Sequence, residues 1–313
     1  MSTIEVHEPG QLTTVQDLGR EGFGPMGVSP SGAADAVSLR LGNRLVGNAE
    51  GAPALEMTLV GGAFRFPQGA VIALSGSDFG ASLDGAAVGL WESVQAQPGQ
   101  LLRLGATRSG ARCYLCVQGG IAVEPFLSSA STHLLSGLGG FDGRPLRPGD
   151  VLRIGPAGGP FRKRSADAKA LERLSPRKVL RVTAGPQSGW FPQASQRAFY
   201  AAAYRVAEES SRMGLRLQGE PIAADPGREM ITEGVPLGAV QVPPGGQPII
   251  LFVEQQTTGG YPKIANVISA DLHSLGQLRP RDEIRFEQVN FETAQSLLRE
   301  QEALFGSDRV MVE

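Results

Sequence analysis

The sequence has few of the side chains from which metal sites, disulfide scaffolds and redox motifs are built. It contains 2 cysteines and 3 histidines in 313 residues, and His7, His133 and His273 do not show the spacing of metal ligands. Cys113 and Cys116 form a C-x-x-C pattern, but they lie in a predicted buried strand, where successive side chains face opposite ways. We therefore expect two core thiols, not a redox pair or half of a zinc site.

Several nucleotide and hydrolase motifs are also absent. The chain has no G-x-x-x-x-G-K-[ST] loop for ATP, no G-x-S-x-G nucleophile elbow and no Met-Lys-Met sequence for biotin attachment. Residues 22–27 match G-x-G-x-x-G, but Pro25 interrupts them and no β-branched strand precedes them. The chain alone is therefore expected to bind no cofactor, and any ATP or carboxybiotin would be supplied through partner subunits.

Charge and hydropathy exclude further classes. The formal net charge is -2, and no basic run suggests a nucleic-acid surface. No apolar run approaches the roughly 18 residues of a membrane helix. The N-terminal residues have neither the basic region nor the apolar stretch of a targeting peptide. We expect a cytoplasmic protein that binds neither nucleic acid nor membrane.

Glycine and proline are abundant instead. The sequence has 42 glycines and 22 prolines, about a fifth of the chain together, whereas aromatic residues make up 6%. Frequent turns favour barrels or sandwiches, and we predict strands at residues 70–74, 100–104 and 247–253. Helices are predicted from Ser31, as an N-cap, and over residues 188–203 and 291–305. The predicted fold class is mainly β with a few helices.

An internal echo suggests two halves. Residues 146–154 and 278–286 share the pattern Leu-Arg-Pro-x-Asp-x-apolar-Arg-apolar, at an offset of 278 − 146 = 132 residues. The echo indicates either two related β domains that each close with this strand, or two similar turns in one β-rich chain. A glycine- and proline-rich stretch followed by the charged residues 162–178 predicts a linker or surface excursion. We place the domains at residues 1–165 and 166–313.

Three polar, glycine-rich segments between apolar strands are candidates for a cleft. In the first, residues 13–20 and 31–35, helix N–H groups would hold a carboxylate or carbonyl oxygen. In the second, residues 233–243, a carboxylate and an amide would bind a urea-like or lactam group. In the third, residues 255–263, glycine backbone, hydroxyls and a lysine would stabilise an oxyanion. Ordinary caps, turns and solvated side chains are the alternative for each.

The same segments carry a family resemblance. Residues 14–20, 211–217, 234–243 and 256–263, continuing to Asp271 and residues 277–280, resemble in order the family of allophanate hydrolase subunit 2, KipI antagonists and the 5-oxoprolinase C subunit. The resemblance implies two cyclophilin-like β-barrel domains and a partner, the KipI-like or allophanate hydrolase subunit 1. One departure stands out, because the family often has Gly-Ser-Arg-Ser-Thr where this chain has Ser128 and Ala130 in place of the Gly and the Arg.

Family members have several roles, and the resemblance therefore implies alternatives. The leading hypothesis is the C subunit of an ATP-dependent 5-oxoprolinase, which acts with subunit 1 and a third, lactam-binding subunit, and whose isolated chain is inactive. The alternatives are a biotin-dependent carboxyltransferase for urea or another small amide, and a non-catalytic regulator that binds a KipI-like kinase inhibitor. The predicted catalytic residues are Glu233, Gln241, Thr258, Tyr261 and Lys263. The predicted substrate-binding residues are Ser31, Asp35, Arg212 and Gly259.

Overall fold

The computed structural model describes residues 2–225, 227–228, 230–306 and 311–312. The chain divides into two compact units. The first comprises residues 1–20, 31–174 and 307–313, and the second comprises residues 21–30 and 175–306. Each unit has its own sheets and its own buried residues.

Within its described residues, the first unit has helices α1 (Ala36–Leu45) and α2 (Ala168–Arg173). Its strands are β1 (Thr3–Glu8), β2 (Leu12–Gln16), β3 (Ala54–Thr58), β4 (Ala63–Arg65), β5 (Ala70–Gly76), β6 (Ser82–Leu83), β7 (Ala86–Ala87), β8 (Ser93–Ala96), β9 (Leu101–Arg103), β10 (Arg112–Val117), β11 (Ile121–Ala122), β12 (Val151–Ile154) and β13 (Ser165–Ala166).

Twelve of these strands form two sheets that pack face to face. One sheet has the order β11-β12-β1-β4-β9-β6-β7, and the other has the order β2-β3-β10-β5-β8. A single apolar cluster takes side chains from both, including Phe64 and Leu102 from the first and Leu74 and Leu115 from the second. Burial of this apolar surface between the sheets is the main source of stability in the unit.

The outer face of the second sheet is covered by α1. Tyr114 and Cys116 on β10 pack with Leu39 of α1, whereas Cys113 and Leu115 point into the cluster between the sheets. The strict alternation of a strand therefore separates the two thiols, and the prediction of two core cysteines is confirmed. Both are free and buried, and burial raises the pKa of each thiol well above its ordinary value.

The second unit contains a closed seven-stranded barrel, in the order β14-β21-β18-β19-β16-β15-β22. Its helices are α3 (Gln193–Ala201), α4 (Leu272–Leu275) and α5 (Phe291–Phe305). Its strands are β14 (Val179–Ala184), β15 (Tyr204–Val206), β16 (Gly214–Gln218), β17 (Glu233–Gly234), β18 (Ala239–Gln241), β19 (Ile249–Leu251), β20 (Thr258–Gly259), β21 (Lys263–Val267) and β22 (Glu283–Gln288).

Two pairings in this unit stand apart from the others. The barrel closes through a parallel pair of β14 and β22, whereas its other neighbouring strands are antiparallel. Outside the barrel, β17 and β20 form a short two-stranded ribbon. Phe199 of α3 stacks on Phe286 of β22 with ring centroids 4.5 Å apart, which ties this helix to the barrel wall.

The internal echo is structural as well as sequential. The carboxylate of Asp150 accepts from the backbone N–H of Arg147 at 2.7 Å, and Asp282 accepts from Arg279 in the same way at 2.8 Å. The residue before each aspartate lies in the left-handed region, with φ 88 at Gly149 and φ 73 at Arg281. Each turn then feeds a strand with alternating buried and exposed positions, β12 in the first unit and β22 in the second.

The charged stretch after residue 160 has more structure than a linker. It contains β13 and α2, and the carboxylate of Asp167 caps α2 by accepting from the N–H of Ala170 at 2.9 Å. A last strand, β23 (Met311–Val312), pairs with β13. These contacts place residues up to Leu174 in the first unit, beyond the boundary expected near residue 165, and residues 21–30 belong to the second unit.

The start of α1 also differs from the prediction. Ser31 is not its N-cap, because Ser31 and Gly32 have φ values of 56 and 92, in the left-handed region. The chain therefore turns before the helix, which begins at Ala36. Asp35 is the cap, and its carboxylate accepts from the N–H of Ser38 at 2.9 Å.

The mainly β fold class is confirmed. Among the described residues, the second unit contains a closed barrel, and the first unit contains two large sheets and the short pair of β13 and β23. No helix in the part of the chain that the structure describes is long and apolar enough to cross a membrane.

Candidate functional site

Strand pairing in the second unit brings five predicted residues together. In the ribbon, Glu233 is the register partner of Gly259, and Thr258 is next to it. In the barrel wall, Gln241 on β18 is the register partner of Lys263 on β21. Residues from the second and third predicted segments therefore meet, although they lie apart along the chain.

An ion pair links the ribbon to the barrel. The Nζ of Lys263 donates to Oε1 of Glu233 at 2.5 Å. The two partners differ in environment, since the Lys263 side chain is 2% exposed and the Glu233 side chain is 46% exposed. A buried ammonium requires a counter-charge, and here the counter-charge faces solvent. Lys263 also has three donors, and the one side-chain hydrogen bond seen among the described residues leaves two for a ligand.

Gln241 supplies a further unused donor. Its side chain is 1% exposed, and its Nε2 has no hydrogen-bond partner among the described residues. This nitrogen lies against Gly259, because a Cβ added at that glycine would be 2.6 Å from it and 3.1 Å from Nε2 of Gln256. A buried amide N–H without an acceptor is costly, so this position suits an oxygen acceptor, from a ligand or from a water molecule.

The cluster has the polarity of an amide-binding site. Lys263 and Gln241 offer N–H groups that suit a carbonyl or carboxylate oxygen, and the Glu233 carboxylate offers oxygens that suit an N–H. A cyclic amide or a urea presents both groups side by side. The arrangement would bind such a molecule and favour negative charge on its oxygen.

Gln187 is part of this cluster and was missed from the sequence. Its Nε2 donates to Oε1 of Glu233 at 2.9 Å, and its Oε1 accepts from the backbone N–H of Lys263 at 3.2 Å. The available signal was a polar residue in the turn Gly185–Pro186–Gln187 directly after a barrel strand. That signal is weak, because glutamine in a turn is usually a solvated side chain.

The other two residues predicted in this unit, Tyr261 and Arg212, have different surroundings. Tyr261 is exposed on the connection that leads to β21, and Thr258, although it lies in the ribbon, is exposed as well. Arg212 is buried and its Nε donates to Oε1 of Glu254 at 2.5 Å, while its backbone oxygen accepts from the Glu254 N–H at 2.8 Å. This matched ion pair fixes the chain between β15 and β16 and the segment after β19.

Ser31 and Asp35 belong to the first unit, whereas the cluster around Lys263 belongs to the second. The Asp35 carboxylate serves the helix cap, because it accepts from both the N–H and the hydroxyl of Ser38, at 2.9 and 2.6 Å. Ser31 differs, since its buried Oγ has no partner among the described residues. Of these two predicted binding residues, Ser31 is the one with a free polar atom.

A buried network behind Asp35 was also missed. Oε2 of Glu56 accepts from the Tyr114 hydroxyl at 2.7 Å and from the Ala34 N–H at 2.8 Å, and the Tyr114 oxygen accepts from the Asp35 N–H at 2.8 Å. Burial, with the nearby Glu56 carboxylate, raises the pKa of Tyr114 well above its ordinary value. The hydroxyl therefore stays protonated and holds the entry to α1.

The departure at Ala130 lies in a network centred on Asp17. The Asp17 carboxylate accepts from the N–H groups of Gly19 and Ala130, at 2.7 and 2.6 Å, and from the hydroxyls of Ser129 and Ser131, at 2.7 and 2.5 Å. At residue 130 the backbone makes the contact, and the methyl group is buried. The replacement of arginine by alanine is therefore compatible with this network, because the network does not need the side chain.

We expect Glu233 to titrate below the ordinary glutamate range. The hydrogen bond from Lys263, followed by that from Gln187, holds the pKa of this carboxyl below its ordinary value of 4.5. A depressed pKa means that the interaction stabilises the fold above the unfolded-state pKa and is lost as pH falls through the folded-state value. Carbon-13 NMR titration of the Glu233 carboxyl in the full chain, against a short peptide containing this residue, measures the difference. Equal midpoints would contradict the ion pair.

Comparison with known proteins gives a consistent result. Residues 26–288 match the family described as carboxyltransferase domain, subdomain A and B. The chain is 40% identical over 302 residues to the 5-oxoprolinase C subunit of Escherichia coli strain K12, with 96% of both chains covered. It is 38% identical over 310 residues to the protein of the same name from Haemophilus influenzae, with 99% of both chains covered.

Longer proteins contain a similar region. Urea amidolyase of Saccharomyces cerevisiae is 33% identical over 98% of this chain, which spans 18% of that protein. The crystal structure of Kluyveromyces lactis urea carboxylase superposes with a TM-score of 0.91 at 32% identity, over 99% of this chain and 30% of that one. The resemblance predicted from the sequence is confirmed, and the chain belongs to the carboxyltransferase domain family, subdomains A and B.

Proposed function

We propose that this chain is the C subunit of an ATP-dependent 5-oxoprolinase, which opens the lactam of 5-oxoproline to glutamate. The observation that carries the proposal is the end-to-end match to proteins named as the C subunit of 5-oxoprolinase from two organisms. A KipI-like subunit 1 and a third, lactam-binding subunit complete the enzyme. In this proposal the isolated chain is inactive, because the partner subunits bind and hydrolyse the ATP.

The cluster around Lys263 supports the proposal chemically. Opening the lactam adds the oxygen of water to the ring carbonyl carbon, breaks the ring C–N bond and leaves a carboxylate and an amine. Negative charge develops on the carbonyl oxygen, where the N–H donors of Lys263 and Gln241 would stabilise it. The Glu233 carboxylate would accept the ring N–H and so orient the substrate. ATP, hydrolysed in the partner subunits with a second water, supplies the driving force.

A second candidate is carboxyl transfer to urea or another small amide. It is favoured by the family description and by the similarity to urea carboxylase. A urea has the same carbonyl and N–H groups as a lactam, so the residues would hold it in the same way. Carboxybiotin on a partner chain would supply the carboxyl group. A third role, a regulator that only binds a KipI-like protein, predicts complex formation without turnover.

The test is reconstitution. The chain is co-expressed with a KipI-like subunit and a lactam-binding subunit from the same genome, and the purified complex is assayed for glutamate formation from 5-oxoproline. We expect turnover that requires ATP and all three chains and that avidin does not inhibit. Avidin-sensitive carboxylation of urea would replace this proposal with the second candidate. An intact complex that turns over neither substrate would favour the regulator.

A further inference from the structure

We infer that Gln187 is a positioning residue of the Lys263 site, one that fixes which oxygen of Glu233 is left to receive an N–H of the substrate. The inference rests on the proposed function for the meaning of the substrate, but its geometry stands without it. Gln187 lies outside every segment that the sequence singled out as a candidate cleft, and it does not itself reach out to solvent, since it is 8% exposed.

The side-chain amide of Gln187 bridges the two members of the ion pair. Its nitrogen donates to Oε1 of Glu233 at 2.9 Å, and the same oxygen accepts from Nζ of Lys263 at 2.5 Å. Its oxygen accepts from the backbone N–H of Lys263 at 3.2 Å. One residue therefore holds a carboxylate on the ribbon and the first residue of the barrel strand β21 at a fixed separation.

The orientation of this amide is determined by its neighbours. If the amide were reversed, its oxygen would face the Glu233 carboxylate and its nitrogen would face the Lys263 N–H, so both contacts would become repulsive. Only one of the two orientations satisfies both partners. With the donor pointing at Glu233, Oε1 receives two hydrogen bonds, and Oε2 has no partner among the described residues.

The turn that carries Gln187 is itself docked on β21. The N–H of Gly185 donates to the oxygen of Ile264 at 2.9 Å, and a Cβ added at Gly185 would lie 2.3 Å from the backbone oxygen of Lys263. The N–H of Trp190 donates to the oxygen of Gln187 at 2.9 Å and closes a short 3-10 turn. A glutamine on so constrained a backbone loses little further freedom when it binds Glu233.

As a consequence, Oε1 of Glu233 is held by two hydrogen bonds, and Oε2 is left to accept from a substrate. Without the amide, a carboxylate that is nearly half exposed is held by Lys263 alone and can rotate, so its open oxygen would no longer have a fixed direction. A near-attack geometry tolerates little displacement, and an error of about 1 Å costs up to a hundredfold in rate. Gln187 thus acts on the reaction through Glu233.

The experiment compares two substitutions with a matched control. Gln187→Met preserves length and removes both hydrogen bonds, and Gln187→Glu preserves shape but places a second carboxylate against Glu233. The control is Gln196→Met, because the amide of Gln196 donates to the oxygens of Ser188 and Phe191 in the same turn and contacts neither Glu233 nor Lys263 through the hydrogen bonds described. The control shows how much of any effect comes from loosening the turn alone, without loss of the hydrogen bonds to Glu233 and Lys263.

Two readouts separate positioning from folding. Carbon-13 NMR of the full chain follows the Glu233 carboxyl, whose titration midpoint should rise in Gln187→Met and rise further in Gln187→Glu, where like charges compete for one proton. In the reconstituted complex, Gln187→Met should lower kcat about tenfold to a hundredfold. Gln187→Glu should regain activity as pH falls, because a protonated carboxyl at residue 187 again donates to Glu233.

The role of Gln187 and the proposed function can fail independently, because the NMR midpoint tests the first and the activity of the complex tests the second. An unchanged Glu233 midpoint in both variants, or an equal shift in Gln196→Met, would overturn the positioning role whatever the complex catalyses. If reconstitution yields no 5-oxoprolinase activity while the midpoint shifts as expected, the proposed function fails and the role of Gln187 in holding Glu233 stands.

Discussion

Replacing Lys263 with methionine should lower kcat of the assembled enzyme about 10²- to 10³-fold, the range seen when one oxyanion donor is removed. The ammonium is buried in the barrel wall, so water does not compete for its donors as it does at the surface. Methionine has a similar length and fills the same space, and the Glu233 carboxylate that loses its partner is open to solvent. The variant should therefore fold, and the loss should lie in the chemical step.

A surface lysine provides the control. Lys178 lies in the same unit and pairs with Asp282 at 2.8 Å, but its side chain is 61% exposed. Lys178→Met should leave kcat unchanged, since exposed ion pairs contribute little. Both variants are assayed over a range of 5-oxoproline concentrations. A rise in KM alone for Lys263→Met would assign the lysine to ground-state binding, and unchanged kinetics would remove it from the mechanism.

Replacing Asp17 with alanine should lower the free energy of unfolding by about 3 kcal/mol. The substitution removes the acceptor shared by four donors: the partly buried N–H of Gly19, the buried N–H of Ala130, and the buried hydroxyls of Ser129 and Ser131. Hydrogen bonds to a charged acceptor are worth more than neutral ones, although the serine hydroxyls can turn to other acceptors. The loss should appear in urea unfolding and as faster hydrogen exchange at Gly19 and Ala130.

Asp142→Asn is the control for this change. The Asp142 carboxylate is 71% exposed and lies 3.5 Å from Arg144, and its backbone has φ 55, which asparagine tolerates, so the loss of its charge should alter stability by less than about 0.5 kcal/mol. Asp17→Asn is the matched comparison, because it keeps the side-chain shape but changes the charge and one acceptor. If Asp17→Ala is no less stable than Asp142→Asn, the network is not a source of stability for the first unit.

Much of the fold followed from local patterns. The alternation of β10 predicted that Cys113 and Cys116 would face opposite ways, and the helix over residues 291–305 was predicted with the bounds found. The repeated Leu-Arg-Pro-x-Asp turn was readable because the structural elements it needs are all local: a fixed proline, an aspartate acceptor and a left-handed residue. Such patterns can be recognised in the sequence because the residues that determine each one lie within a few positions of each other.

The wrong predictions concern residues whose structure depends on contacts with distant parts of the chain. Ser31 has the chemistry of a cap, but the N–H groups of Ala33 and Ala34, from which a cap at Ser31 would accept, donate to Asp17 and Glu56. Asp35 caps the helix instead. The stretch with α2 is charged and resembles a linker, yet β13 within it pairs with β23, which is far away in the sequence. Gln187 acquires its meaning only from Glu233 and Lys263. Contacts that the local sequence does not display decided each of these cases.

The candidate site shows the same division. Residue types alone indicated a carboxylate, an amide and a lysine suited to an amide substrate, and strand register then placed Glu233, Gln241 and Lys263 together. What the sequence did not reveal is which polar atoms were already in use. Asp35 and Arg212 are examples, because Asp35 caps α1 and Arg212 pairs with Glu254 within the fold itself.

Because the barrel closes by pairing its first strand with its last, it cannot close until nearly the whole second unit has been synthesised. The strand β14 reaches its partner β22 only after the intervening chain is made, since Val179 pairs with Arg285 and 285 − 179 = 106 residues separate them. At about 5–20 residues per second, a ribosome needs at least several seconds to cover that interval. During this time the edge of β14 is unpaired and exposed to neighbours. A nascent chain released before residue 283 would lack β22 and could not close the barrel.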